Sequence, residues 1–170
     1  MNIALIGYGK MGKEIESIAL SRGHNITCRV DSKTTVHSVD FSNTDVAIEF
    51  TKPDLALTHI HFFLDRKIPL VIGTTGWNDQ LEMVTEKVNN TNGSLLHASN
   101  FSVGVNIFFE INKRLAELMA PQKAYHAVMT EIHHMQKLDA PSGTAITLAD
   151  DIISFEQYSK WNCIEDNEGT

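Results

Sequence analysis

The chain has 170 residues, 42% of them hydrophobic and 21% charged, and its formal net charge is −7 at pH 7. That length corresponds to one ordinary domain, or to one domain and part of another, and a core of this size needs neither disulfides nor a metal. The acidic balance argues against nucleic acid as a partner, because a phosphate backbone is bound by a basic surface, but it permits small anionic ligands.

The sequence carries no signal for export or for membrane insertion. Its N-terminal apolar run is too short for a signal peptide and lacks a basic start. No stretch approaches the ~20 apolar residues of a membrane span. The two cysteines, Cys28 and Cys163, form no CxxC or Cys/His ligand spacing and are predicted to be reduced. We therefore expect a cytoplasmic protein with no membrane partner.

The first half of the chain alternates short apolar runs with longer amphipathic ones, which predicts βαβ units. Strands are predicted at residues 3–6, 25–30, 45–50, 69–72 and 95–98, and helices at residues 10–22, 53–65 and 81–88. With right-handed crossovers these elements form a Rossmann-type doubly wound parallel sheet, which binds ligands at the C-terminal ends of its strands. The fold class is therefore α/β, with a dinucleotide-binding Rossmann domain expected over residues 1–104.

The pattern changes beyond residue 104. A helix is predicted over residues 105–119, a strand with alternating polar and apolar residues over 125–134, and a helix over 143–155. These elements predict part of an α+β domain for substrate binding or oligomerisation, over residues 105–170. Because residues 161–170 are polar and complete no element, this domain is expected to be incomplete at its C-terminus.

The first strand runs directly into a glycine-rich turn. Gly7, Gly9 and Gly12 fit the pattern G-x-G-x-x-G between a strand and a helix. In such a turn the first glycine permits the tight bend, the second lets the backbone approach a pyrophosphate, and the third lets the helix pack on the strand. Lys10 and Met11 lie at the helix N-terminus, whose free N–H groups attract phosphates. The alternative is that the glycines serve only a turn.

Asp31 ends the second strand, 19 residues after Gly12, where a carboxylate can bind the ribose hydroxyls of a dinucleotide. A carboxylate repels a 2′-phosphate and so favours NADH, whereas Lys33 or Lys10 could reach such a phosphate and favour NADPH. The predicted cofactor is therefore NADH, NADPH or both. Asp31 could instead only start a turn with Ser32.

Four further segments form a pattern with the glycine turn. Residues 49–53 read E-F-T-K-P, residues 73–77 read G-T-T-G-W, residues 98–106 read A-S-N-F-S-V-G-V-N, and residues 131–145 read E-I-H-H-M-Q-K-L-D-A-P-S-G-T-A. In this order they resemble the dihydrodipicolinate reductase family, from the first strand to about residue 155. The glycine turn departs from that family's usual G-A-x-G-R-M-G at Tyr8 and Lys10.

The resemblance implies a reaction and an assembly. The reaction is hydride transfer from NADH or NADPH to 4-hydroxy-tetrahydrodipicolinate or dihydrodipicolinate, giving tetrahydrodipicolinate in diaminopimelate and lysine biosynthesis. This substrate is a small nitrogen-containing ring with two carboxylates. The assembly is a homotetramer formed through the second domain, if the chain is complete.

The resemblance also implies roles for residues of the 131–145 segment. His133 and Lys137 are the catalytic residues, His134 binds substrate, and which of the two catalytic residues donates the proton stays open. A histidine titrates near neutral pH and can deliver a proton after the hydride arrives. Gly143 and Thr144 begin a predicted helix whose free N–H groups can bind a carboxylate, although plain N-capping is the alternative. No cysteine or third histidine falls at ligand spacing, so no metal site is predicted.

Further cofactor-binding residues are implied at the ends of the fourth and fifth strands. They are Gly73, Thr74, Thr75, Ser99, Asn100 and Phe101. The loop at 73–76 would cover the nicotinamide, and the alternative is an ordinary strand-to-helix turn, since Gly and Thr are common at strand ends. His59 and His61 lie on a predicted helix and are interpreted as surface or packing residues.

Two other functions are compatible with part of the sequence. A different Rossmann oxidoreductase, acting on an amino or oxo acid, would explain the glycine turn and Asp31 but not the 131–145 segment. A dinucleotide-binding module without turnover would have no need for His133, His134, Lys137 and Thr144 together. The fold alone does not distinguish these functions, because the Rossmann scaffold hosts many.

Overall fold

A computed structural model describes residues 1–133, 135, 140–155 and 159–164. The chain divides into two compact units, an N-terminal unit, Met1–Ser99, and a C-terminal unit, Asn100–Thr170. Across the described residues, no helix is both long and apolar enough to cross a membrane.

The N-terminal unit is built on a parallel sheet of five strands. They are β1 (Asn2–Ile6), β2 (Asn25–Val30), β3 (Val46–Glu49), β4 (Leu70–Ile72) and β5 (Leu95–His97), in the spatial order β2-β1-β3-β4-β5. The chain leaves β1 in one direction to form β2 and then returns past β1 to form β3. Open α/β sheets bind ligands at such a reversal, outside the C-terminal ends of the strands. The predicted doubly wound sheet is confirmed.

Helices cover both faces of this sheet. They are α1 (Lys10–Ser21), α2 (Pro53–Asp65) and α3 (Leu81–Thr91). Because successive side chains of a strand point to opposite faces, β1 contributes to two cores. Ile3 and Leu5 pack with residues of α1, whereas Ala4 and Ile6 pack with residues of α2 and α3. Both faces of β1 are thus apolar, as expected of a central parallel strand.

The predicted bounds of these elements agree with the structure to within one helical turn. The largest difference is in α3, which is predicted to end at residue 88 and continues to Thr91. It ends where Asn92 adopts the left-handed conformation with φ of 52°, and the Asn92 N–H donates to the carbonyl of Asn89. Asparagine tolerates this conformation better than most residues, so Asn92 can end the helix.

Two helices form the described framework of the C-terminal unit, α4 (Val103–Met119) and α5 (Gly143–Ile153). Their buried side chains include Phe109 and Ala116 of α4 and Leu148 of α5. The Asn112 amide donates to the Leu148 carbonyl at 3.0 Å, which joins the two helices by a polar contact as well as an apolar one.

The strand predicted over residues 125–134 is wrong for its described part, residues 125–133. No residue of that part belongs to a strand, and all are exposed. Alternating polarity produces a strand only where a second strand completes its backbone hydrogen bonds, and the described sheet consists of β1 to β5 alone. His134 lies outside the described residues.

Candidate active site

The glycine turn has the tight geometry that its sequence predicts. Gly7 follows β1 with φ of 96°, and a Cβ atom added there would lie 1.9 Å from the carbonyl oxygen of Phe50. A Cβ atom at Gly12 would lie 2.3 Å from the Gly7 carbonyl oxygen. The Gly7 N–H donates to the Val30 carbonyl at 2.8 Å, which ties the turn to the end of β2. Side chains are therefore excluded from two of the three glycine positions by the fold itself.

The remaining glycine, Gly9, opens onto free space at the start of α1. A Cβ atom at Gly9 would meet nothing within 4 Å, and Gly9 precedes the helix with no side-chain cap. The first N–H groups of α1, at Lys10, Met11 and Gly12, have no carbonyl partner within the helix. An open, glycine-lined helix N-terminus at the topological switch point fits the pyrophosphate of a dinucleotide.

Tyr8, which departs from the family pattern, belongs to a polar cluster beside this turn. Its hydroxyl donates to the Glu16 carboxylate, and the Arg29 Nε also donates to that carboxylate at 2.8 Å. The hydrogen bond from Arg29, followed by the one from Tyr8, lowers the pKa of Glu16. Sequence reasoning missed this cluster, and the i to i+8 spacing of Tyr8 and Glu16 across a turn and helix gave no signal for it.

Asp31 lies at the predicted place, exposed at the C-terminal end of β2. Its Oδ1 accepts from the Lys33 N–H at 2.9 Å and from the Thr34 hydroxyl at 3.0 Å. These bonds, the backbone one first, lower the pKa of Asp31 and keep it ionised. The carboxylate thus forms a local turn, and its position at the sheet edge is also the one where a ribose would be bound.

The loop that follows β4, residues 73–76, is held by contacts from both sides; we call it the GTTG loop. Thr74 is buried, and its Oγ1 accepts from the Thr51 N–H at 2.8 Å. Its carbonyl accepts from the Trp77 Nε1 at 2.8 Å. The Trp77 ring is buried and lies 4.4 Å from the His97 ring, and burial lowers the pKa of His97.

A buried acid that sequence reasoning did not single out lies next to the GTTG loop. Glu49 is the last residue of β3, is fully buried, and pairs with the Nδ1 of His59 at 3.1 Å. His59 is therefore more than a packing residue of α2. The signal available in the sequence was the acid itself, because a charge at the end of a buried apolar strand requires a partner.

The residues after β5 lie in two places. Ser99 ends the N-terminal unit, and Asn100 and Phe101 begin the C-terminal unit. The Asn100 side-chain oxygen accepts from the Ser102 N–H at 2.8 Å. The backbone carbonyl of Asn100 accepts from the side-chain amide of Asn106 at 3.0 Å, so Asn100 shapes the start of α4. Phe101 is 43% exposed. Their cofactor contacts stay a prediction.

In the C-terminal unit, Glu131 joins His133 to the start of α5. One carboxylate oxygen of Glu131 accepts from the Ser142 N–H at 2.9 Å. The other accepts from the Ser142 hydroxyl at 2.5 Å and lies 2.7 Å from the His133 Nε2. The Ser142 Oγ in turn accepts from the Ala145 N–H at 3.0 Å and caps α5. The Ser142 hydroxyl, and then His133, lower the pKa of Glu131 to about 2.

These residues border an open cavity of about 710 Å³ within the C-terminal unit. The cavity lies between α4, residues 125–133 and α5, and most of its lining is apolar. His133, a predicted catalytic residue, and Thr144, a predicted substrate-binding residue, both line it. Gly143 is the first residue of α5.

His134 and Lys137 lie outside the described residues. Within the described ranges, no group of three His, Cys, Asp or Glu side chains is placed to hold a metal ion.

Comparison with known proteins covers both units. Residues 1–101 match the family model described as dihydrodipicolinate reductase, N-terminus, and residues 104–169 match the one described as dihydrodipicolinate reductase, C-terminus. The chain belongs to the dihydrodipicolinate reductase family. Its first part is thus the dinucleotide-binding domain of a family of NADH- or NADPH-dependent oxidoreductases, and the predicted family is confirmed.

Individual relatives are named 4-hydroxy-tetrahydrodipicolinate reductase. The chain is 45% identical over 171 aligned residues to a 4-hydroxy-tetrahydrodipicolinate reductase from Christiangramia forsetii, with 99% of this chain and 71% of the relative covered. It is 34% identical to one from Natronomonas pharaonis, with 88% of this chain and 64% of the relative covered. The chain thus spans about two thirds of the length of these relatives.

A solved structure agrees with the fold. It is described as dipicolinate-bound dihydrodipicolinate reductase from Paenisporosarcina sp. TG-14, is 27% identical to this chain, and matches with a TM-score of 0.61. The match covers 100% of this chain and 71% of that one.

Proposed function

We propose that this chain is a 4-hydroxy-tetrahydrodipicolinate reductase that uses NADH, NADPH or both. The observation that carries the proposal is the arrangement at the start of α5, where His133 is hydrogen-bonded through Glu131 to the capping Ser142. A held histidine, the first N–H groups of α5 at Gly143 and Thr144, and an adjacent cavity are the parts needed to bind a carboxylate and deliver a proton beside it.

In this proposal the N-terminal unit binds the cofactor. The first N–H groups of α1 and the open face of Gly9 hold the pyrophosphate, and Asp31 binds the adenosine ribose. The GTTG loop and the residues from Ser99 to Phe101 hold the nicotinamide half. A bound NADH or NADPH supplies the hydride.

The C-terminal unit binds the substrate. The N–H groups at Gly143 and Thr144 and the Thr144 hydroxyl donate to one carboxylate of the substrate, because the first N–H groups of a helix have no partner inside it. His133 delivers a proton to the ring position that becomes basic after hydride transfer, and Lys137 and His134 complete the site. Glu131 holds the imidazole of His133 in one orientation.

The proposal extends to substrate, location and assembly. The solved relative is described as dipicolinate-bound, which supports a small cyclic dicarboxylate as the substrate class. A cytoplasmic location follows from the biosynthetic role, with neither nucleic acid nor membrane as a partner. A homotetramer formed through the C-terminal unit is proposed from the family resemblance, and light scattering of the purified chain tests it.

The test is oxidation of NADH and NADPH with substrate made in situ from pyruvate and aspartate semialdehyde. Wild-type turnover should require both precursors. His133→Ala should lower kcat by about 10²–10⁴-fold, the usual contribution of a general acid, and leave the Kd for NADH unchanged. His24→Ala is the matched control, because His24 precedes β2 at the N-terminal end of the strands, whereas the glycine turn lies at their C-terminal end.

Three other outcomes would each change the proposal in a different way. Cofactor binding without turnover would favour a dinucleotide-binding module. Oxidation that depends on an unrelated oxo acid would favour a different oxidoreductase. Full activity of His133→Ala would reassign the proton to another residue.

A further inference from the structure

Burial of the Glu49 carboxylate costs folding free energy. Glu49 is 0% exposed and stands at the C-terminal end of β3, beside the topological switch point of the sheet. A buried carboxylate loses its hydration and is retained only where it is paired and hydrogen-bonded. An apolar residue at this position would pack in the core without needing a polar partner.

Its partners come from two different elements. The Oε1 atom of Glu49 accepts from the Thr51 hydroxyl and pairs with the Nδ1 of His59 on α2 at 3.1 Å. His59 is itself only 6% exposed. Within the described part of the chain, the Oε2 atom is buried with no hydrogen-bond partner. The carboxylate is therefore anchored through a single oxygen, whose two partners fix its direction.

Through Thr51, this pair reaches the GTTG loop. The Thr51 N–H donates to the Thr74 Oγ1 at 2.8 Å, and the Gly73 N–H donates to the Glu49 carbonyl at 2.9 Å. Both ends of the Glu49–Thr51 segment thus contact the loop by hydrogen bonds. On its other side the loop is held by Trp77, which donates to the Thr74 carbonyl.

Phe50, between them, fills the space beside the loop. A Cβ atom at Gly73 would lie 2.1 Å from the Phe50 ring, and one at Gly7 would lie 1.9 Å from the Phe50 carbonyl oxygen. The end of β3 therefore contacts the glycine turn through the Phe50 backbone and the Thr51 methyl group, and it contacts the GTTG loop through the Phe50 ring and two hydrogen bonds from its backbone. The Glu49 carboxylate reaches the GTTG loop through Thr51.

We propose that Glu49 and His59 are positioning residues that fix the GTTG loop in the conformation that receives the nicotinamide half of the cofactor. The inference rests on the proposed function, because it takes that loop as the nicotinamide site. The Glu49 carboxylate orients the Thr51 hydroxyl, the Thr51 N–H then holds the Thr74 side chain, and His59 holds the carboxylate in place. The adenosine half, bound at the glycine turn and Asp31, does not depend on this network.

The test separates the two halves of the cofactor. Glu49→Gln keeps the shape of the side chain and removes its charge, and His59→Gln removes the partner. Calorimetry would measure the Kd of each variant for NADH and for ADP-ribose, which lacks the nicotinamide. Both variants should raise the Kd for NADH by about tenfold, the loss of one charged hydrogen bond, and change the Kd for ADP-ribose by less than about twofold.

Phe63→Leu is the matched control, since Phe63 is a fully buried residue of α2 whose ring packs against Phe41. It should lower the melting temperature and leave the ratio of the two Kd values unchanged. If Glu49→Gln does not fold, the His59→Gln ratio decides the question. An equal loss of affinity for both ligands, or no loss for either, overturns the proposal. Failure of the wild-type chain to bind NADH or NADPH would instead overturn the proposed function, and this inference with it.

Discussion

At the scale of single residues, the three glycines of the first turn meet different demands. Gly7 needs a positive φ and has the Phe50 carbonyl against it, and Gly12 lies against the Gly7 carbonyl. These two positions exclude a side chain for reasons of folding. Gly9 has an ordinary extended backbone and empty space beside it, so folding does not require a glycine there. Under the proposed function, the pyrophosphate occupies the space at Gly9.

This difference predicts opposite results for two alanine variants. Gly7→Ala should lower the free energy of unfolding by at least about 1–3 kcal/mol, because alanine is strained at positive φ and meets the Phe50 carbonyl. Gly9→Ala should unfold at the wild-type denaturant concentration and yet bind NADH more weakly, because the added methyl group occupies the space of the pyrophosphate. Denaturant titration and calorimetry measure the two effects. Unchanged NADH affinity of Gly9→Ala would remove the pyrophosphate from this turn.

At the scale of elements, Glu131 joins an irregular segment to a helix. It accepts from the backbone and hydroxyl of Ser142, which caps α5, and from His133 two residues away. No strand ladder holds residues 125–133 in the described structure, so this carboxylate is a main point of attachment. A single side chain thus supports both the helix cap and the histidine.

The low pKa of Glu131 gives this attachment a defined pH dependence. Its pKa is lowered from 4.5 to about 2, first by the Ser142 hydroxyl, so the ionised form stabilises the folded state at pH values above about 4.5. That contribution is lost as the pH falls through about 2. The stability difference between wild type and Glu131→Gln should therefore be constant from neutral pH to about 4.5 and shrink below it. Denaturant titrations across this range measure it, and a difference that persists at about pH 2 would contradict the assignment.

Most elements of the fold follow from local patterns. The runs that form β1 to β5 are short and apolar because each strand is covered on both faces, and Pro53 marks the start of α2 as it does in the structure. The segment at 125–133 shows the limit of this reasoning. Its alternation is real, but pairing depends on a second strand elsewhere in the molecule, and no local pattern reports that.

The candidate site also has one part that is predicted from the sequence and another part that is not. The glycine turn, Asp31, the GTTG loop and the 131–145 segment are found from sequence, because their chemistry is carried by neighbouring residues. The link from Glu49 to His59 is not, because its members lie on different elements and meet only when α2 packs on the sheet. The Trp77 contact with the GTTG loop depends in the same way on the buried position of the indole.

At the scale of the whole molecule, the net charge of −7 gives an electrostatic field that repels the ligands of the proposed reaction. The dinucleotide and the dicarboxylate are both anions, so the overall field does not attract them. Under the proposed function, binding comes from local donors, and we assign the helix N-terminus of α1 to one anion and that of α5 to the other. The two family models match residues 1–101 and 104–169, one for each unit.

The central claim is that this chain transfers hydride from a nicotinamide cofactor to a cyclic dicarboxylate. It is tested most directly with NADH and NADPH that carry deuterium at both transferable positions of the nicotinamide, supplied with the substrate made from pyruvate and aspartate semialdehyde. Mass spectrometry of the product should show tetrahydrodipicolinate that has gained one deuterium, formed only when the chain is present. Cofactor binding without labelled product, from either cofactor, would contradict the claim.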